Sequence, residues 1–139
     1  MSDEFTGCKL AYILSDSLLV YKRDKAPEIP FPGLWDFPGG GREGDESSEE
    51  CVLRELKEEF SISLPVSRLS YKKKIINQSG NGCTFFFVTQ GEDAEISNIL
   101  LGDEGQYWKL VPVQEYLSHP KAIPALISRL KSYLEHKIS

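Results

Sequence analysis

Glu55, Glu58 and Glu59 stand at i, i+3 and i+4, so in a helix their carboxylates project from one face. Like charges at that spacing repel by about 0.2–0.5 kcal/mol per pair. A hard divalent cation such as Mg²⁺ offsets that repulsion, because it takes oxygen ligands and suits clustered carboxylates. Arg54 lies four residues before Glu58 and is placed to brace it through an i,i+4 ion pair. The plain alternative is a solvated acidic face, since Glu is a good helix former. Context separates the two readings. Just upstream lie the glycine turn Pro38-Gly39-Gly40-Gly41 and a further acid, Glu46. A glycine turn lets backbone groups approach a ligand closely, and a carboxylate helix beside it suits a metal-bound polyphosphate.

The charge distribution points to the same segment. The 139 residues carry 16 Lys and Arg against 21 Asp and Glu, a formal net charge of −5. Between Gly40 and Glu59 lie eight acids and three bases, which sum to −5, so the remaining 13 acids and 13 bases cancel. Without a basic surface, a nucleic-acid polymer is not expected as partner. With 40% apolar and 27% charged residues, the chain is expected to fold, and its length suits a single domain over residues 1–139. Cys8, Cys51 and Cys83 are odd in number and widely spaced, which argues against a disulfide framework or a zinc knuckle and for a reducing compartment. No secretory signal and no run of about 18 apolar residues is present, so a cytoplasmic protein with no membrane association is expected.

The elements that must position these residues follow from periodicity. Leu10 to Leu14 and Leu18 to Tyr21, separated by Ser15-Asp16-Ser17, read as a β-hairpin. Pro27, Pro30 and Pro32 make Lys25 to Gly33 a stiff loop, followed by a short strand over Leu34 to Phe37 and the glycine turn read as a loop. Ser47 to Phe60 is a helix: Ser47 and Glu50 have capping-box spacing, and Val52, Leu53, Leu56 and Phe60 share one arc. Val66 to Ile76 and Cys83 to Thr89 read as strands, the second buried on both faces. Gly91 to Gly105 reads mainly as loop, Tyr107 to Val111 as a strand and Val113 to Leu117 as a helical turn. Pro120 to Glu135 holds an amphipathic helix with Leu126, Ile127, Leu130 and Leu134 as its stripe. Strands on either side of a central helix, with a second helix at the end, predict an α/β sandwich on a mixed sheet.

Gly40, five residues, Glu46, seven residues, then Arg54-Glu55-Leu56-Lys57-Glu58-Glu59-Phe60-Ser61-Ile62 resembles the Nudix box, here residues 40–62. The family's glycine near the end of the box is Ser61 here, at what resembles a helix C-cap in the left-handed conformation, which serine adopts at a steric cost. The resemblance extends to Leu34-Trp35-Asp36-Phe37-Pro38-Gly39-Gly40, to Glu104-Gly105-Gln106 with Trp108, and to Ala122-Ile123-Pro124 with Leu126, Ile127 and Leu130. All three are similar to segments of the MutT-like branch, the nucleoside-triphosphate pyrophosphohydrolases.

The resemblance implies the Nudix fold, an α/β/α sandwich with a central mixed sheet. It also implies Mg²⁺-dependent hydrolysis, with Mn²⁺ as the alternative ion, of a nucleoside triphosphate, damaged or non-standard bases included, to monophosphate and pyrophosphate. By position, Gly39 (through its carbonyl), Glu55, Glu58, Glu59 and Glu104 would be metal ligands, and either Glu55 or Glu104 the general base. Gly40, Glu46 and Arg54 would organise the helix and its loop, while Arg23, Asp36 and Phe37 would contact the nucleotide. For Arg23 the alternative is a solvated strand end, and for Trp35 and Phe37 it is core packing. Tyr71-Lys72-Lys73-Lys74 reads as a charged strand edge, Cys51 as packing, and His119 and His136 carry no metal or triad assignment. Where the branch reads 8-oxoguanine through an asparagine near the start of the last helix, this sequence has Ala122. Asn77 stands where ADP-ribose pyrophosphatases show proline, and Gln78, Ser79 and Gly80 lack the tyrosine of dinucleoside-polyphosphate hydrolases. The remaining alternatives are a Nudix hydrolase of another nucleoside diphosphate derivative and a non-catalytic nucleotide-binding Nudix domain. Either a monomer or a homodimer is compatible with the sequence.

Overall fold

The computed structural model describes residues 5–23, 33–77, 80, 82–99 and 105–138. Among these residues seven strands form one mixed sheet: β1 (Phe5–Leu14), β2 (Ser17–Arg23), β3 (Trp35–Asp36), β4 (Gly39–Gly41), β5 (Leu69–Ile76), β6 (Cys83–Gln90) and β7 (Gly105–Pro112). The order is β3-β2-β1-β6-β5, with β4 paired to β1 and β7 to β2. The β1–β6 pair is parallel and the other pairs are antiparallel. Among the described residues, four helices accompany the sheet: α1 (Ser48–Phe60), α2 (Asp93–Ser97), α3 (Val113–Leu117) and α4 (Pro124–Ile138).

The sheet is buried on both faces because its central strands alternate apolar side chains in both directions. Leu10 and Tyr12 of β1, Leu19 and Tyr21 of β2, and Phe85 and Phe87 of β6 share a core with Val52, Leu56 and Phe60 of α1. Their neighbours Ala11, Ile13, Leu18, Val20, Phe86 and Val88 share the opposite core with Tyr116 of α3 and Leu126, Leu130 and Tyr133 of α4. Each such aliphatic or aromatic side chain contributes about 1.5–3 kcal/mol relative to exposure. The result is the expected α/β/α sandwich.

One departure from regular pairing positions the site. β2 pairs with β1 only at Ile13 and Leu14, whereas Gly7, Cys8 and Lys9 pair with Gly41, Gly40 and Gly39 of β4. The sheet splits along β1, and the glycine segment enters the split. That segment, expected as a loop, is therefore a short strand. Glycine is required there: Gly39 has φ +143°, and a Cβ on it would collide with the Cys8 carbonyl.

Two other expectations are corrected. Val66–Arg68 is a 3-10 turn rather than the start of a strand, so β5 begins at Leu69; Pro65 before it lacks the N–H that a ladder needs. Within the stretch read as loop, Asp93–Ser97 is a short helix whose N-cap Glu92 and N3 residue Glu95 form a capping box. The proline-rich segment 24–32 lies outside the described residues. Elsewhere α1 begins after the N-cap Ser47 with the expected capping box, and it ends at Ser61 with φ 61° and ψ 30°. β5 lies at the sheet edge, with Lys72, Lys73 and Lys74 exposed. Among the described residues, no helix is long and apolar enough to cross a membrane.

Candidate active site

Glu55 and Glu59 lie on the buried side of α1, 9% and 8% exposed, while Glu58 faces solvent. Helical geometry separates their tasks. Glu59 reaches back to the glycine segment, where its Oε1 accepts a hydrogen bond from the Gly39 N–H at 2.9 Å. Its other oxygen, Oε2, is buried with no hydrogen-bond partner among the described residues. Burial pushes the Glu59 carboxyl up to about 8; the Gly39 N–H opposes this, as does the charge of Lys9. Glu55 sits directly under Gly40, so close that a Cβ at that position would overlap its carboxylate.

Arg54 holds the acids together. Its Nε and Nη2 donate to the two oxygens of Glu46 at 2.9 and 2.7 Å, a bidentate pair. Nη2 also donates to the Gly41 carbonyl at 2.9 Å, and Nη1 to Glu55 at 2.6 Å and Glu58 at 3.2 Å. Glu46 accepts in addition from the Glu43 N–H at 2.8 Å, so one carboxylate fixes both the loop and the guanidinium. The Arg54 hydrogen bonds, followed by that backbone contact, hold Glu46 down at about 2, well below the usual carboxylate range. The expected i,i+4 contact of Arg54 with Glu58 is present, within a larger network that also spans loop and strand.

Glu43, Glu55 and Glu58 place ligand oxygens within 4.8 Å of one another. A hard cation fits this donor set. The oxygens are all carboxylate, they converge despite their mutual repulsion, and an unpartnered buried oxygen of Glu59 lies on the same helix. Sequence spacing did not single out Glu43, because it sits in the loop before the helix and carries no periodic signal.

The remaining expected site residues are placed as follows. Glu104 lies outside the described residues. Arg23 ends β2, and its side chain lies outside what is described. Asp36 is 1% exposed; its carboxylate accepts from Lys9 Nζ at 2.8 Å, the Phe37 N–H at 2.8 Å and the Tyr21 hydroxyl at 3.3 Å. It therefore forms an interior ion pair with Lys9. Phe37 is fully buried between Tyr116 and Phe86, with ring centroids 5.1 and 6.4 Å away, so it packs in the core. Trp35 is likewise core, tied to the segment just before α4 through its bridge to Ala122 and capped by Lys109 Nζ 4.3 Å from its ring. Cys51 is buried as expected, with its sulfur 3.2 Å from that of Cys8.

An α/β/α sandwich with clustered carboxylates set at a split in its sheet is the class that these features define. The chain belongs to the Nudix family: the family model of the NUDIX domain matches residues 10–130. Two curated relatives share short, strongly similar stretches. The 8-oxo-dGTP diphosphatase of Proteus vulgaris is 50% identical over 32 residues, 23% of this chain and 29% of that protein. The CTP pyrophosphohydrolase of Escherichia coli K12 is 50% identical over 34 residues, 24% of this chain and 25% of that protein. The matched stretch thus spans under a third of either relative. The crystal structure of a MutT protein from Methanosarcina mazei Go1 superposes with a TM-score of 0.74 at 17% identity, covering 100% of this chain and 99% of that one. At that identity the likeness shows the fold.

Proposed function

We propose that this protein is a Mg²⁺-dependent pyrophosphohydrolase that converts a nucleoside triphosphate into nucleoside monophosphate and pyrophosphate. The observation that carries the reading is the set of carboxylates of α1 gathered by Arg54 beside the glycine strand, with a buried, unpartnered oxygen on Glu59. Glu55, Glu58 and Glu59, together with Glu43, would hold the metal, with Gly39 and Glu104 as further ligands by family position. When bound, Mg²⁺ or Mn²⁺ neutralises phosphate oxygens and lowers the pKa of a coordinated water. Arg54 and Glu46 keep the acids in register with the glycine strand, and Gly40 leaves the Glu55 carboxylate room beneath it. Glu55 or Glu104 takes the proton of the attacking water. The short stretches shared with an 8-oxo-dGTP diphosphatase and a CTP pyrophosphohydrolase support a triphosphate substrate.

Product analysis over standard and oxidised nucleoside triphosphates, ADP-ribose and dinucleoside polyphosphates tests the proposal. Release of pyrophosphate in Mg²⁺, abolished by excess EDTA and restored by Mg²⁺, is expected. Saturable binding without product would instead identify a nucleotide-binding Nudix domain, and turnover unaffected by EDTA would remove the metal from the reaction.

A further inference from the structure

Where α1 lies against β1, two thiols meet. Cys8 of β1 and Cys51 of α1 are both buried, and their sulfurs lie 3.2 Å apart across 43 positions of chain. Buried cysteine is common as a small apolar side chain, but this pair touches sulfur to sulfur between two elements. A disulfide bond measures about 2.05 Å, so closing one here moves the sulfurs by about 1 Å, the scale of ordinary thermal motion.

The surroundings hold the two thiols in register. Cys8 pairs with Gly40 in the sheet, and its sulfur faces the Gly40 carbonyl at 3.8 Å. The Cys51 thiol donates to the Gly41 carbonyl at 3.6 Å, and Arg54 Nη2 lies 4.0 Å from its sulfur. Because Arg54 is tied to Gly41 and Glu46, the turn that carries Cys51 is fixed against the glycine strand. Hydrogen bonding between the two sulfurs holds the Cys8 thiol below its ordinary value and, with burial, pushes the Cys51 thiol up. Cys83 is set apart from Cys8. It pairs with Phe5 whereas Cys8 pairs with Phe85, so the third thiol stands two residues along the neighbouring strand. That offset puts the two Cα atoms beyond the roughly 7 Å that a disulfide tolerates.

We propose that Cys8 and Cys51 form a redox modification site, in which hydrogen peroxide converts the two thiols into an intramolecular disulfide that clamps β1 to α1 beside the glycine strand. This goes beyond the hydrolase reading and does not depend on it. Cys8, the less completely buried of the two, reacts first. Its sulfur attacks one peroxide oxygen, an S–O bond forms, the O–O bond breaks, and the second oxygen leaves as water with the thiol proton. The Cys51 sulfur then attacks the resulting sulfenic sulfur. The S–S bond forms, the S–O bond breaks, and a second water carries off the Cys51 proton. Two electrons pass from the thiols to the peroxide. The bridge encloses β2, β3 and β4, so it restricts the unfolded chain and stabilises the fold that presents the carboxylates. A thiol reductant reopens it by exchange.

Treatment of the reduced, folded protein with hydrogen peroxide tests this without requiring turnover. The intact mass should fall by that of two hydrogens, and non-reducing peptide mapping should join the peptide of Cys8 to that of Cys51. Cys83 should remain open to alkylation once the oxidised protein is unfolded. The thermal midpoint should rise by about 5 °C or more on oxidation and return when dithiothreitol restores the three thiols. Cys51→Ala should lose both the mass change and the rise in midpoint, whereas Cys83→Ala should keep both. The proposal is overturned by a wild-type protein that keeps both thiols, that carries oxygen on either sulfur without a bridge, or that pairs Cys83 instead. Disulfides formed only between molecules overturn it too, as does a bridge that leaves the midpoint unchanged or lower. If Cys51→Ala does not fold, the wild-type map and midpoint decide. Hydrolysis is absent from every one of these readouts, so the nucleotide-hydrolase reading stands or falls separately.

Discussion

At the scale of single residues, Arg54 and the carboxylates around it govern what the site can do. Glu58 is an exposed acid of α1, its side chain 56% accessible, so replacing it barely disturbs packing. On the proposed reading, Glu58→Gln lowers kcat by about 100-fold or more, the scale of a damaged metal site, while the thermal midpoint stays within about 2 °C of the wild type. Steady-state kinetics and a melting curve on the same preparation check both halves. Glu46 makes a separate prediction. Its folded pKa, about 2, lies below the ordinary carboxylate value near 4.5, so its stabilising contribution is present above pH 4.5 and is lost as pH falls toward 2. Solvent screening of a partly exposed pair reduces the contribution to about 1–2 kcal/mol. Between pH 4.5 and 2.5, the wild-type protein should therefore lose that much more stability than Glu46→Gln. Parallel denaturant titrations at the two pH values would show it, and equal acid sensitivity would remove Glu46 from the account.

At the scale of elements, α1 shows which parts of the sequence carry their structure with them. Its capping box, acidic first turn and apolar arc are local, and the helix starts and ends where they indicate. So are the hairpin of β1 and β2 and the turn of α3. β4 is different: three glycines have no strand propensity, and only the split of the sheet along β1 supplies them with partners. The ion pair of Lys9 with Asp36 and the thiol contact of Cys8 with Cys51 were invisible for the same reason, because their members are distant in sequence and neither pair repeats a pattern. The carboxylates of α1 were legible from spacing, whereas Glu43 entered the cluster through loop geometry. Ser61 tests the local side of this division. Holding a non-glycine residue at φ 61° costs about 1 kcal/mol, and its N–H already donates to the Lys57 carbonyl as a C-cap should. Ser61→Gly is expected to stabilise the fold by about 0.5–1 kcal/mol. A higher denaturation midpoint with an unchanged m-value would demonstrate it.

At the scale of the molecule, the −5 charge that resides between Gly40 and Glu59 is not a diffuse property of the surface. Glu43, Glu46, Glu55 and Glu58 converge on the Arg54 guanidinium and Glu59 on the glycine strand, and the rest of the chain is formally neutral. The sandwich itself was legible because the alternation of β1 and β6 fills two cores, and the last helix offers an apolar stripe to one of them. The pairing of those two strands also sets an order in time. β1 and β6 are parallel neighbours, so β2, β4 and α1 all belong to the chain that must loop out before the two strands meet. Closing so long a loop costs entropy that local contacts do not return, and folds dominated by such pairings form in milliseconds to seconds. Helix α1 can begin to form early from its own caps. The glycine strand cannot form alone, since its partners on β1 are Gly7, Cys8 and Lys9. Pairing Lys9 with Gly39 closes a far shorter loop than pairing Phe5 with Cys83, so a nascent chain that has not yet made β6 already holds every residue needed to bring the α1 carboxylates to the glycine strand.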